Sequence, residues 1–375
     1  MREFNDMKKP KIALVRGKFL NKCEMQSFEY LTKKYKITAF GSLREFHNDL
    51  KFPVIKLPSP MDIPDFPYKM PLLNRIFIDA HHLFGLEKKL KGYDIAHSAE
   101  TYYHYTQQCL IAKKKGYVKK VVVTILENIP YANEGIWGRK GFKKRAYIEV
   151  DLFLATTQDA KEALIEEGVN KEKIKIIYSG VDTTRFRPSN RSGKIINILF
   201  VGRLEKYKGI YNLLKAFIKI QKNHKNIHLS IVGKGSEEEK LKKIVKEKKL
   251  ENKVSFEIVP YHKIHKVYRN ADIFVAPSKD TSTWKEQFGY VLVEAMACGL
   301  PVITTNAGSI PEVVKDAAII IPQNDTKRIT DELEMLLKSK RKREQLGKKA
   351  RVFAVKYYDS KKIAKEIDNI YREIL

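Results

Sequence analysis

Short runs of β-branched and aliphatic residues alternate with segments of helical periodicity along the whole chain. This alternation restricts the fold to parallel sheets built from βαβ units. In the first half the clearest strands are Lys11–Val15, Ile37–Phe40, Val121–Ile125, Leu152–Ala155 and Ile174–Ile177. In the second they are Asn197–Val201, His228–Val232, Val254–Ile258, Asp272–Ala276, Pro301–Thr305 and Ala318–Ile321. A length of 375 residues suffices for about two domains, each with its own core. The polar stretch Arg187–Gly193, with its Pro and Gly, precedes a new buried strand and marks the boundary. Two doubly wound domains in tandem follow, residues 1–187 and 188–359. A last helix, 360–375, carries Ile363, Ile367, Ile370 and Tyr371 on one side.

The run from Trp284 to Ile303 holds two carboxylates eight positions apart. Glu286 is followed by Phe288-Gly289-Tyr290, and Glu294 lies in an apolar, helix-forming stretch that Gly299 stops before Pro301-Val302-Ile303 starts a strand. At about 1.5 Å per helical residue, eight positions span roughly 12 Å, the length of a nucleotide diphospho-sugar from sugar to ribose. One acid can hold sugar hydroxyls and the other ribose hydroxyls, with a helix N-terminus offered to the diphosphate between them. Two unrelated acids on a surface helix are the plainer reading of the glutamates alone. With its flanking residues, the run resembles the Glu-x7-Glu motif of retaining glycosyltransferases of family four, which have the GT-B fold. The resemblance implies two Rossmann-like domains, a donor cleft between them, and a C-terminal helix that crosses back to the first.

Other stretches extend it. Gly202-Arg203-Leu204-Glu205-Lys206-Tyr207-Lys208-Gly209 follows a strand and resembles the family's Gly-Arg-Leu-x-x-x-Lys-Gly loop. A departing diphosphate needs its charge neutralised, and Arg203 and Lys208 are the cations for it. A solvated basic turn is the alternative for this loop in isolation. The chain has no Asp-x-Asp sequence, so catalysis without a metal is expected, with Glu286, Arg203 and Lys208 as its residues. Tyr178–Pro188 is similar to the family's Asn-Gly-Val-Asp-x-x-x-Phe-x-Pro segment, with Ser179 in place of Asn. Gly233, in Val232-Gly233-Lys234-Gly235, matches the family's turn near the phosphates, though any strand exit would serve. Val259 stands where relatives place the base. Gly202, Phe288, Gly289, Tyr290 and Glu294 complete the donor contacts that the resemblance implies.

In the first domain Gly17 ends a strand at the place where relatives approach the donor with backbone amides. The family often has two glycines here and this chain has one. Tyr93-Asp94-Ile95-Ala96-His97 is similar to the family's Asp-Ile-Val-His strand end. His97 orients the acceptor or donor sugar, or is a structural histidine at a strand terminus. After Val121–Ile125 many relatives carry Thr-x-His. Here Glu127 and Asn128 follow, as candidates for acceptor-side contacts or as loop and capping residues.

A formal charge of +28 is spread over both halves and admits nucleic-acid binding, an anionic membrane, or a merely basic surface. No nucleic-acid motif accompanies it. Within Lys69–Gly92, Leu73, Ile76, Phe77, Ala80 and Phe84 fall at helical spacing among Arg75, Lys88, Lys89 and Lys91. This is either a basic amphipathic face for lipid headgroups or an ordinary core helix. Met1–Pro10 has no signal-peptide apolar region, and Cys23, Cys109 and Cys298 are scattered, so a cytoplasmic protein is expected, working at the inner membrane face if its acceptor is lipid-borne. The reading is a metal-independent retaining glycosyltransferase with a nucleotide-sugar donor, no further cofactor, and a lipid-linked or glycan acceptor. A GT-B epimerase or phosphorylase, and a basic nucleic-acid-binding protein, are the rivals.

Overall fold

Strands that are covered on both faces need apolar side chains on both, and β1 (Lys11–Gly17) buries every residue after its first. In the computed structural model, which describes residues 9–44, 49–189 and 193–375, β1 is an interior strand of a seven-stranded parallel sheet, next to its central strand. The other strands are β2 (Lys36–Gly41), β3 (Val54–Lys56), β4 (Tyr93–Ala99), β5 (Val118–Ile125), β6 (Leu152–Ala155) and β7 (Ile174–Ile176). Their order is β3-β2-β1-β4-β5-β6-β7. Alternation along β1 sends Ala13 and Val15 into one core with Phe40, Ala96 and Phe153. Ile12 and Leu14 face the other, where Ile363, Ile367, Ile370 and Tyr371 of the C-terminal helix Ser360–Ile374 close the layer.

The second sheet has six parallel strands: β8 (Ile196–Val201), β9 (Ile227–Val232), β10 (Val254–Glu257), β11 (Ile273–Ala276), β12 (Val302–Thr305) and β13 (Ile319–Ile321). Their order is β10-β9-β8-β11-β12-β13, so the strand order reverses at β8. Helix Ile210–Ile220 buries Leu213, Leu214 and Phe217 on this sheet.

The chain divides into one unit running to Gly180 together with Ser360–Leu375, and a second of Val181–Asp359. The division precedes the Arg187–Gly193 stretch, of which 190–192 lie outside the described residues, as do 1–8 of the Met1–Pro10 segment. Val181–Phe186 belongs to the second unit because Val181 N–H donates to the Tyr358 carbonyl and Phe186 is buried against Tyr268.

Two expectations change. Strand β3 is an addition, three residues between Pro53 and Pro58 at the sheet edge, where a Pro costs no ladder bond. The helical spacing that predicts one face through Phe84 breaks at Phe77, because helix Lys69–Phe77 ends there and Ile78 takes a positive φ of 63°. Asn74 Oδ1 accepts from the Ala80 N–H, and buried Asp79 pairs with Arg139, so the chain turns inward. Leu73, Phe77 and Ala80 therefore join a small core with Met61, while Leu72 and Ile76 point to solvent.

Ile367 packs on the β1 layer, so Ile367→Ala is expected to cost about 2–5 kcal/mol. Hydrogen exchange by mass spectrometry should show faster exchange in β1 and β4 and no change in β8–β13. Equal loss of protection in both sheets would contradict this assignment.

Candidate active site

Loops leaving the C-terminal ends of β8, β11 and β12 meet in the second unit, at the switch point where open α/β sheets bind ligands. From β8 the chain passes Gly202 and Arg203, turns through Lys206–Lys208, and enters the helix at Ile210. Gly209 makes the turn possible. Its φ is +69°, and a Cβ there would sit 1.8 Å from the Pro277 carbonyl oxygen. This contact sets the β8 loop against the loop that follows β11.

Lys208 and Glu286 are thereby brought together, with Nζ 2.6 Å from Oε2. The Ser278 hydroxyl donates to the same carboxylate oxygen at 3.1 Å. Aromatic rings wall the ammonium, which lies 4.4 Å from the centroid of the Trp284 ring. Tyr207 packs on Trp284, with centroids 4.3 Å apart, and Arg203 lies over the Tyr207 ring at 5.4 Å. The loop after β12 fixes the backbone of Glu286, whose carbonyl accepts from the Ser309 N–H at 2.9 Å. A Cβ on Gly308 would come within 2.3 Å of that carbonyl oxygen. The Asp280 carboxylate holds Gly308 in turn, through its N–H.

Glu286 itself is not helical. The helix begins at Tyr290, so the rise of a helix does not apply between Glu286 and Gly289. Glu294 lies on the helix, almost wholly buried, and accepts from the hydroxyls of Tyr261 and Tyr268, both at 2.8 Å. Phe288 is a packing residue, edge-on to Tyr290 and Tyr358. Gly233 follows β9 against the Gly202 carbonyl, and half-buried Val259 precedes the Tyr261–Arg269 helix. The Tyr178–Pro188 segment is anchored through its backbone carbonyls. Arg351 donates to the carbonyls of Thr183, Phe186 and Ala297.

In the first unit Gly17 ends β1 with its Cα against the Tyr105 ring. His97 is fully buried, with Nδ1 2.6 Å from the Tyr371 hydroxyl and Nε2 2.7 Å from Thr124 Oγ1. Burial, reinforced by the Arg16 charge, holds its pKa well below the usual imidazole value. Both nitrogens serve to join β4, β5 and the C-terminal helix. Glu127 folds back onto its own loop and accepts from the N–H groups of Asn128 and Ile129, while Asn128 is buried.

Glu100 has no counterpart among the sequence-predicted residues. It follows β4 with a positive φ of 56° and accepts from the N–H groups of Leu126 and Glu127. Burial first, then the Glu127 charge, pushes its pKa up to about 8. Its signal in the sequence is only its place after a strand. Ser278 and Asp280, from the loop that carries Glu286, and Gly308 and Ser309, from the loop after β12, together fix Glu286 and are absent from the sequence reading, since all four are common loop residue types. No group of three or more His, Cys, Asp or Glu side chains among the described residues is placed to share a metal ion.

Two doubly wound parallel sheets in tandem, the second with Lys208 paired to Glu286 at its switch point, make up the GT-B fold. Residues 181–353 match the model of glycosyl transferases group 1, and residues 41–185 match that of glycosyltransferase family 4. The chain belongs to glycosyltransferase family 4. Among its relatives, spore coat protein SA of Bacillus subtilis is 33% identical over 229 residues, which are 54% of this chain and 59% of that protein. An uncharacterized glycosyltransferase of Methanocaldococcus jannaschii, MJ1069, is 25% identical over 88% of this chain and 86% of that protein. The match to the Bacillus relative thus spans less than two thirds of its length. Anabaena Alr3699/HepE, solved in complex with UDP and glucose, has the same fold, with a TM-score of 0.77 at 18% identity over 97% of this chain and 100% of that one.

Glu100 binds its proton up to about pH 8 when folded and only to about pH 4.5 when unfolded. The folded state thus holds more protons between these values, and stability falls as pH rises through that window. Glu100→Gln keeps an acceptor for both amides and has no proton to lose. It is expected to flatten the decline in Tm between about pH 5 and 8. An unaltered slope would mean that Glu100 ionises normally.

Proposed function

We propose that this protein is a metal-independent, retaining glycosyltransferase that moves a sugar from a nucleotide diphospho-sugar to an acceptor hydroxyl. The observation that carries this is the Lys208–Glu286 pair at the switch point, with Arg203 beside it on the Tyr207 ring. An ammonium and a guanidinium at one site supply the charge that a departing diphosphate needs. The UDP and glucose bound by HepE support the same class of donor here.

In the reaction the bond between the anomeric carbon and the phosphate oxygen breaks, and Lys208 and Arg203 take up the charge that develops on the leaving oxygen. Glu286 neutralises Lys208 through their ion pair. An arriving diphosphate competes for the ammonium and frees the carboxylate to hold the sugar hydroxyls. Glu294 holds the ribose, with the Tyr261 hydroxyl giving way to a ribose hydroxyl. The acceptor oxygen attacks the face that the phosphate vacates, and a phosphate oxygen receives its proton. The anomeric configuration is thereby retained without a protein nucleophile. The acceptor is a lipid-linked or glycan hydroxyl in cell-surface glycan or glycolipid synthesis, and work at the inner membrane face fits it.

Glu286→Gln is expected to abolish most transfer while binding nucleotide diphosphate at least as tightly as the parent, since the substitution frees Lys208. A fall in nucleotide affinity equal to the fall in rate would refute the sugar-side role.

Arg203→Ala and Lys208→Ala should each slow transfer by about 10²–10³-fold. EDTA should leave the rate of the parent unchanged, and loss on chelation restored by Mn²⁺ would overturn metal independence.

A further inference from the structure

The first unit has an apolar groove, far along the chain from the residues that build the donor site. Its volume is about 880 Å³, and Met70, Pro71, Asn74, Arg75, Ile136 and Trp137 line it. Helix Lys69–Phe77 forms one wall. Its inner side buries Leu73, which leaves Leu72 and Ile76 in solvent, the latter 63% exposed. Trp137, 69% exposed, also lines the groove, and Tyr68 just before the helix is exposed as well. The groove opens on one flank of the helix, and Tyr68, Leu72 and Ile76 are exposed on its outer side beside it; large apolar side chains in water next to a groove mark an interaction surface.

The charges beside the groove specify what it meets. Arg75 lines it. Trp137 leads into helix Arg139–Glu149, where Lys140, Lys144 and Ile148 recur every fourth residue and are all exposed. Lys140 has a weak pairing with Glu134 at 3.7 Å. An indole and a phenol with aliphatic neighbours and a row of cations match the boundary between headgroups and acyl chains in an anionic membrane.

We propose that the surface formed by Tyr68, Leu72, Ile76, Trp137, Lys140 and Lys144 docks on an anionic phospholipid bilayer, with the groove receiving a lipid hydrocarbon chain. This deepens the reading of a lipid-borne acceptor; of the face that the sequence spacing predicts it keeps Ile76 and drops Leu73, Phe77 and Ala80, which pack inward, and it adds Tyr68, Leu72 and Trp137. The lipid attraction has an electrostatic part that salt screens and an apolar part that it does not.

The test is flotation of the full chain with equimolar phosphatidylglycerol–phosphatidylcholine vesicles and with phosphatidylcholine alone. Binding to the anionic vesicles is expected to exceed binding to the neutral ones and to weaken in high salt. Leu72→Ser with Ile76→Ser should lower it by about tenfold or more, as loss of two buried apolar side chains implies. Lys140→Glu with Lys144→Glu should lower it at low salt only. In a Trp284→Phe background, Trp137 emission should shift to the blue on binding. Both double variants alter exposed side chains, so their circular dichroism and their thermal shift with UDP should equal the parent's. No binding, equal binding to both vesicle types, or binding that survives the variants would overturn the proposal. So would a concentration-dependent dimer that Leu72→Ser with Ile76→Ser abolishes, which would assign the face to a second copy of this chain. Absence of vesicle binding by the parent, with its UDP response intact, refutes the docking alone. Absence of any nucleotide response in the parent refutes the donor reading.

Discussion

Backbone pressed against backbone around Glu286 is the constraint on which the rest of the second unit depends. The Gly209 Cα faces the Pro277 carbonyl, the Gly308 Cα faces the Glu286 carbonyl, and the Ser309 amide clasps that carbonyl. Three loops from three strands are thereby locked at one point. A side chain in either glycine position would drive them apart, and the Lys208–Glu286 contact with them. The chemistry therefore rests on groups that carry no chemistry, in the way that preorganised sites keep their reacting groups still through their supports.

The fold was largely legible because burial on both faces demands continuous apolar strands, and such runs recur on a regular pattern. Lys11–Val15 and Asn197–Val201 are of this kind. Val54–Lys56 was hidden because a three-residue edge strand between prolines is composed like a loop. The helix near Phe77 was over-extended because periodicity cannot register Asn74 and Asp79, polar residues whose hydrogen bonds turn the chain. At the site, residue types tied to charge stood out, and Lys208 with Glu286 is a pair that the motifs bring to mind separately and the fold brings together. Ser278 and Ser309 were invisible, since nothing in a serine reveals which distant carboxylate or carbonyl it will meet.

Three buried ionisable groups in the first unit show how environment overrides residue type. His97 is held neutral between Thr124 and Tyr371 and works as a cross-brace. Arg16 stays buried by donating to the carbonyls of Val15 and His97. Glu100 accepts two amides at a strand end while burial opposes its charge. Each is of a type that reads as functional in a sequence, and each has backbone or core partners that account for its position.

The C-terminal helix has a consequence for the order in which the protein is made. Strands β1 and β4 leave the ribosome before the second unit, yet the layer over Ile12 and Leu14 is completed by Ile363, Ile367 and Tyr371, which are made after it. The second unit, Val181–Asp359, has all of its strands before that helix emerges. Domains ordinarily mature from the N-terminus during synthesis. Here the first sheet must wait with one face only partly covered, by Met25, Phe28 and Leu31, while the later one closes, and the nascent chain carries the remaining exposed surface until helix Ser360–Ile374 emerges.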